Sequence, residues 1–172
     1  MARDVSFMQY LRAHGNTAGP TQRPLLTGAI SGLIGFVPFE ILLRVSGARR
    51  AIAQGFGLST WESTIIGAFL MLIAGIVYSA LFKRAANDVR GGWVFGASFG
   101  FLVWLVAPIT LWQLIRSHPI AVGKAAMGVF GAHILFGFTL GVVFPWIHFL
   151  IQSRLENGNK LRAEFRNDKE VK

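Results

Sequence analysis

The stretch AAMGVFGAHILFGFTLGVVFPWIHFLI, residues 125–151, decides the fold of this chain, because it contains no Asp, Glu, Lys or Arg. A second stretch, WVFGASFGFLVWLVAPITLWQLI, residues 93–115, is uncharged in the same way. A helix needs about 20 apolar residues to cross a hydrocarbon core roughly 30 Å thick, since each residue rises by about 1.5 Å. Both stretches are long enough, so the sequence predicts that both cross a membrane.

Two earlier segments, residues 25–43 and 63–82, are also apolar enough to cross. Inside lipid every backbone polar group needs a partner within the chain, which favours helix for each segment. The sequence therefore predicts an all-α, integral membrane four-helix bundle with antiparallel, up-down helices. A polar segment, residues 1–24, precedes the bundle, and a charged tail, residues 152–172, follows it. The composition agrees, because 53% of the residues are hydrophobic and 15% are charged, against about a quarter charged in soluble domains.

The basic residues predict the orientation, because Lys and Arg collect on the cytoplasmic side of a membrane. Twelve fall on the side of the termini and five on the other, which predicts a bacterial inner membrane protein with both ends in the cytoplasm. The net charge of +9 is thus expected to meet lipid headgroups and not nucleic acid, since the polar segments lack basic residues interleaved with stacking aromatics. The five are Arg44, Arg49, Arg50, Arg116 and Lys124.

Small residues at four-residue spacing allow membrane helices to approach closely. The sequence predicts helix packing through eight glycines: Gly28, Gly32, Gly35, Gly92, Gly96, Gly100, Gly137 and Gly141. The pattern GAxxG begins at both Gly28 and Gly96, and a later proline follows in each span. One interpretation of this pattern is a bundle of two duplicated helical hairpins, related by an axis along the membrane normal.

Four strings give the chain a resemblance to a known family. They are GAISGLIG (28–35), AGIVYSALFKR (74–84), GWVFGASFGFLVWLVAPI (92–109) and ILFGFTLGVVFPW (134–146). This pattern of glycines and aromatic residues over residues 28–146 resembles the YqhR family of small bacterial membrane proteins with four predicted spans. The chain departs from the family at Ala107, where the family tends to have asparagine. The resemblance implies a bacterial membrane setting and no catalytic residues.

Ionisable groups inside a span are costly, so each is a candidate functional residue. Three qualify in this sequence: Glu40, His133 and His148. Counting along the spans places Glu40 and His133 roughly 23 and 27 Å from the cytoplasmic face. Thr110 and Gln113 fall in or near the same layer, which predicts a polar layer of these four residues that binds a ligand or relays protons.

The sequence favours a structural interpretation of the same residues over the functional one. Glu40 precedes Arg44 by one helical turn, the favourable order for an ion pair within a helix. His133 lies on the face of Gly137 and Gly141, where it can bond across a tight helix contact.

Enzymatic machinery is not visible in the sequence. The four histidines are scattered, there is no cysteine, and no phosphate-binding loop or nucleophile motif is present, so no metal, cofactor or catalytic residue is predicted. The predicted function is an accessory or structural membrane component that acts through helix packing in a lipid bilayer, either in a larger membrane complex or as a homo-oligomer. The alternative is a small-molecule or ion transporter that uses the layer of Glu40 and His133.

Overall fold

The structure is a computed structural model that describes residues 23–82, 85–111 and 123–170, with side-chain surroundings for all of these except 109–111 and 159–170. Within these residues the chain is helical and has no strand, so the all-α prediction is confirmed. The α-helices are α1 (Pro24–Val45), α2 (Ala48–Phe56), α3 (Thr60–Phe82), α4 (Gly92–Trp104) and α5 (Lys124–Glu170). A 3₁₀ turn covers Ala85–Asn87, and a π-helix, Leu105–Leu111, continues α4.

Three of the described helices are long and apolar enough to cross a membrane. They are α1, α3 and the part of α5 from Lys124 to Gly158, whereas the apolar helix Gly92–Pro108 is shorter. The chain is therefore a membrane protein.

The surface of these helices is apolar and part of the interior is polar, which suits a lipid solvent. Large hydrophobic side chains stand exposed on α1, α3, α4 and α5, among them Val37, Ile41, Phe69, Leu70, Phe101, Leu102 and Val142. In water such a surface would drive aggregation, but lipid tails are as apolar as leucine. Polar residues are buried instead, namely Thr27, Ser31, Glu40, Arg49, Ser63, Ser79, Asn87, His133 and His148.

The long helices pack in the spatial order α3–α1–α5–α4, because α1 contacts both α3 and α5, and α4 packs mainly on α5. Neighbours run antiparallel. Gly35 near the middle of α1 lies against Phe136 of α5, while Ser46 after the end of α1 lies against Gly128 near the start of α5. Because the helices alternate in direction, α2 and the start of α5 lie at one end of the bundle, here named the α2 end.

Aromatic side chains join α3 to α4 at the opposite end. Tyr78 is fully buried, and its ring centroid lies 5.3 Å from that of Phe99 and 5.7 Å from that of Phe144 on α5. Phe82 adds contacts to Phe95 and Phe99 at 5.8 and 6.0 Å. The hydroxyl of Tyr78 donates a hydrogen bond to the carbonyl of Gly92 at 3.3 Å. Aromatic packing and this polar contact therefore join the first hairpin, formed by α1 and α3, to the second hairpin, formed by α4 and α5.

Local sequence explains where α2 and α3 begin and end. Gly47 and Gly57 flank α2 with φ of 77° and 67°, in the left-handed region that favours glycine. Ser59 and Glu62 form a capping box, because Glu62 accepts a hydrogen bond from the Ser59 amide at 2.8 Å and Ser59 Oγ accepts one from the Glu62 amide at 3.2 Å. The cap starts α3 at Thr60, three residues before the start that hydropathy predicts.

The last two helices differ from the predicted spans in their length. The α-helix of α4 ends at Trp104 and passes into a π-helix that contains Pro108, because proline has no N–H and clashes with the preceding turn. The predicted end of this span lies outside the described residues. In contrast, α5 continues without a break past residue 151 to Glu170, so the described part of the charged tail is helical.

Candidate functional site

The Glu40 carboxylate is the centre of a cluster of polar side chains at the α2 end. Its Oε1 accepts hydrogen bonds from Arg44 Nε at 2.7 Å and from Thr64 Oγ1 at 3.0 Å. Its Oε2 accepts from Arg49, through Nε at 2.9 Å and through Nη2. The ion pair with Arg44 that helical spacing predicts is therefore present. Both carboxylate oxygens are occupied, and the Glu40 side chain is 11% exposed.

Arg49 reaches the carboxylate because the chain reverses after α1. The turn at Gly47 starts α2 so that Arg49, in its first turn, points back into the bundle, where its side chain is only 5% exposed. A helix N-terminus disfavours a cation, and a buried charge needs a partner. Glu40 supplies that partner. Arg49 Nη1 also donates to the carbonyl and the hydroxyl of Ser63, at 3.1 and 3.0 Å.

Gly67 makes room for the Arg49 guanidinium. A Cβ at this position would lie 3.1 Å from Arg49 Nη2 and 3.5 Å from Nη1. The guanidinium therefore lies against the backbone of α3, one turn from the Ser63 that it binds. The same set of contacts attaches α2 to both helices of the first hairpin.

The surroundings of His133 are different. Its Nδ1 lies 2.8 Å from the carbonyl of Val129, one turn earlier in α5. Its ring packs edge-on to Phe39, with centroids 5.0 Å apart. Neither of these two contacts of His133 involves Glu40, although Phe39 directly precedes Glu40 in the sequence. The imidazole thus lies in an aromatic contact between α1 and α5.

The other two members of the predicted polar layer cannot be added to this description. The backbone of Thr110 belongs to the π-helix, and Gln113 lies outside the described residues. A layer that combines Glu40, His133, Thr110 and Gln113 stays a prediction.

The glycines of the first hairpin bring α1 and α3 into backbone contact. A Cβ at Gly28 or Gly32 would collide with the carbonyl oxygen of Gly75 or Met71, respectively. Gly35 faces the other way, since a Cβ there would lie 3.0 Å from the Phe136 ring of α5. Glycine is needed at Gly28 and Gly32 because the neighbouring backbone occupies the volume of a side chain.

The second hairpin uses the same kind of contact between α4 and α5. A Cβ at Gly96 would collide with the carbonyl oxygen of Gly137, and a Cβ at Gly137 would collide with the carbonyl oxygen of Gly96. At Gly100 the obstacle is the His133 carbonyl, and at Gly92 the Gly141 carbonyl would lie 2.9 Å away. Apart from Gly35, these glycines therefore face the partner helix of their own hairpin.

The structure adds three cluster members that sequence reasoning did not single out: Arg49, Ser63 and Thr64. Arg49 was counted for orientation, but it lies nine residues from Glu40 and on a different helix. A detectable signal was the short segment ARRAIAQGF between Gly47 and Gly57. Its basic residues sit beside a span that contains a carboxylate.

The chemistry of the cluster is that of a structural ion pair. In the described part of the chain, no group of three or more His, Cys, Asp or Glu side chains could hold a metal ion. Fold and site together define a helical membrane protein whose hairpins pack through glycine and whose α2 end is held by a buried carboxylate between two arginines. No protein family, no curated protein and no solved structure matches this chain.

Proposed function

We propose that the chain is a non-enzymatic accessory or structural component of a bacterial inner membrane, and that it acts through helix packing. One observation carries this proposal: the Glu40 carboxylate has both oxygens bound within the chain, to Arg44, Arg49 and Thr64. To act as a proton relay or a cation site, the Glu40 carboxylate would have to release these partners, which would leave the buried Arg49 guanidinium without a countercharge. Here the carboxylate holds helices together.

The proposal includes four crossings, with α4 and its π-helical continuation as the third. From Gly92 to Leu111 these two elements form one continuous helical path, and α4 packs along α5 through glycine. Both termini then lie on the cytoplasmic side, in agreement with the distribution of Lys and Arg. The α2 end faces away from the cytoplasm.

We also propose that the two hairpins share a common ancestor and that the chain is a member of the YqhR family. Tyr78 of α3 and Phe144 of α5 hold matching places in the strings GIVY and GVVF, and their rings pack against each other at 5.7 Å. Such a contact is what a two-fold relation between hairpins would produce.

Partners of the chain would meet its outer faces. The glycine clusters described above are used between helices of one chain, so a larger complex or a homo-oligomer would assemble through the exposed apolar side chains. In a mild detergent, the native protein should then migrate as a particle much larger than a chain of 18.9 kDa with its detergent. Loss of this chain should lower the abundance of the partner.

Proton flux into liposomes separates this function from the transporter alternative. The purified chain is reconstituted with a pH-sensitive dye inside, and a proton gradient is imposed across the membrane. The proton flux into liposomes that contain wild type, Glu40→Gln or the control Glu62→Gln should equal the flux into empty liposomes. Flux that depends on Glu40 and not on the capping residue Glu62 would contradict the accessory role and support a transporter.

A further inference from the structure

The polar cluster at the α2 end carries more positive than negative charge. Arg44 and Arg49 share the single carboxylate of Glu40, which leaves an excess of one positive charge. Arg50, next in sequence, is exposed. An uncompensated charge beside a hydrocarbon phase is unfavourable, so the cluster favours an additional anion.

Arg44 is the member of the cluster that can reach such an anion. Its side chain is 53% exposed, whereas those of Glu40 and Arg49 are 11% and 5% exposed. Nε donates to Glu40 at 2.7 Å, and Nη2 donates to Thr64 Oγ1 at 3.2 Å. Within the described residues, Nη1 has no protein partner. The guanidinium is thus held in one orientation with an unused donor on its open side.

The neighbours of Arg44 define the phase that it faces. Ile41 and Val45, on the same helix, are 57% and 74% exposed, and Trp61 at the start of α3 is 69% exposed. Apolar side chains and an indole ring in this position are typical of the boundary between acyl chains and headgroups. A guanidinium fork matches the geometry of a phosphate oxygen pair.

We propose that Arg44, oriented by Glu40 and Thr64, binds the phosphate of an anionic phospholipid at the α2 end of the bundle. The lipid completes the charge balance of the cluster, and its acyl chains lie along the exposed side of α1. The partner is a lipid headgroup because the open side of Arg44 lies between acyl-facing side chains.

Lipid retention by the purified full-length chain tests the site. The protein is incubated with phosphatidylglycerol or phosphatidylcholine in mixed micelles, and bound lipid is counted by native mass spectrometry. Wild type should retain phosphatidylglycerol in preference to phosphatidylcholine. Arg44→Gln should lower this preference about five-fold, the effect of one basic residue near an anionic lipid, and Arg44→Lys should keep part of it.

Matched variants separate this site from other basic surfaces. Arg154→Gln, on the exposed charged part of α5, should leave most of the Arg44-dependent preference intact. If Arg44→Gln does not fold, Thr64→Val becomes the deciding variant. It keeps the positive charge of Arg44 but removes the hydroxyl that orients the guanidinium. It should lower the preference for phosphatidylglycerol by less than the roughly five-fold effect expected for Arg44→Gln. Unchanged retention in Arg44→Gln, or in Thr64→Val where that variant decides, would overturn the proposal. So would displacement of the lipid by inorganic phosphate at equal concentration.

Discussion

Glu40 and Arg49 form a buried ion pair that attaches the short helix α2 to α1, with Arg49 Nε 2.9 Å from Glu40 Oε2. The two residues lie in different helices on either side of the Gly47 turn. The pair therefore determines how the chain reverses at the α2 end, and it links this turn to α3 through Ser63.

Glu40→Gln should destabilise the protein strongly, because it leaves the Arg49 guanidinium buried without a countercharge. Removal of one partner from a buried pair costs about 3–5 kcal/mol. The free energy of unfolding can be measured by titration of the purified protein with SDS in mixed micelles. Glu62→Gln is the control, since Glu62 is an exposed capping residue and glutamine can take the same place in a capping box, so this change should cost little.

The double variant Glu40→Gln/Arg49→Gln should recover part of the stability that the single variant loses. It removes both charges, so no buried charge stays unpaired. If the double variant is as unstable as the sum of the two single variants, the pair does not act as a unit, and the contact between α1 and α2 must depend on other residues.

Gly96→Ala should force α4 and α5 apart, because a Cβ there meets the Gly137 carbonyl and would lie 2.7 Å from the Gly141 Cα. Both obstacles are backbone, which cannot move aside as a side chain can. Overpacking of this kind costs about 1–3 kcal/mol or more. The same SDS titration measures the loss. Gly158→Ala is the matched control in the same chain, since a Cβ at Gly158 meets nothing within 4 Å. This variant should gain about 0.5–1 kcal/mol from helix propensity.

Gly67→Ala should weaken the protein through Arg49. The new methyl group would lie 3.1 Å from Arg49 Nη2 and 3.4 Å from the Phe36 ring, so the guanidinium must shift from the position in which it binds Glu40. We expect a loss of about 1 kcal/mol. The loss should be smaller in an Arg49→Lys background, because lysine has no guanidinium fork to displace. A double-mutant cycle measures this coupling, and a cycle that closes to within about 0.3–0.5 kcal/mol would show that the two sites are independent.

Hydropathy predicted the helices well because a lipid surrounding favours apolar side chains along the whole length of a crossing segment. The helices at residues 25–43 and 63–82 were predicted to within a few residues of α1 and α3. The boundaries shifted where local hydrogen bonds, and not hydropathy, decide: the capping box of Ser59 and Glu62 extends α3. Pro108 lies in the segment where the third helix becomes a π-helix, a local change of backbone geometry that hydropathy does not indicate.

The site was harder to predict than the helices, because it depends on a turn. Spacing along one helix identified the pair of Glu40 and Arg44, but Arg49 reaches the same carboxylate only because α2 folds back. Similarly, equal depth placed Glu40 and His133 together, yet depth does not determine which face a residue occupies. His133 faces Phe39, whereas Glu40 faces α2 and α3.

The crossing of α4 predicts a specific labelling pattern for single cysteines. The chain has no cysteine, so each introduced thiol can be labelled without background. Val89, before α4, and Gly123, before α5, are both exposed. If α4 and its π-helical continuation cross the membrane, Val89→Cys lies in the cytoplasm and Gly123→Cys lies outside. A membrane-impermeant maleimide should then label only Gly123→Cys in intact cells, and both variants after lysis.

Two further positions test the assay at opposite ends of the bundle. Gln54→Cys, on the exposed side of α2, should be labelled in intact cells, and Gly158→Cys, on the tail part of α5, should be labelled only after lysis. If Gln54→Cys is labelled in intact cells while Gly123→Cys is protected, α4 returns to the cytoplasmic side without crossing the membrane. The antiparallel contact between α4 and α5 argues against that result, because Gly92 lies at the level of Gly141 while Trp104 packs on Phe130 with centroids 4.8 Å apart. The α4 helix thus follows α5 over about three turns toward the α2 end.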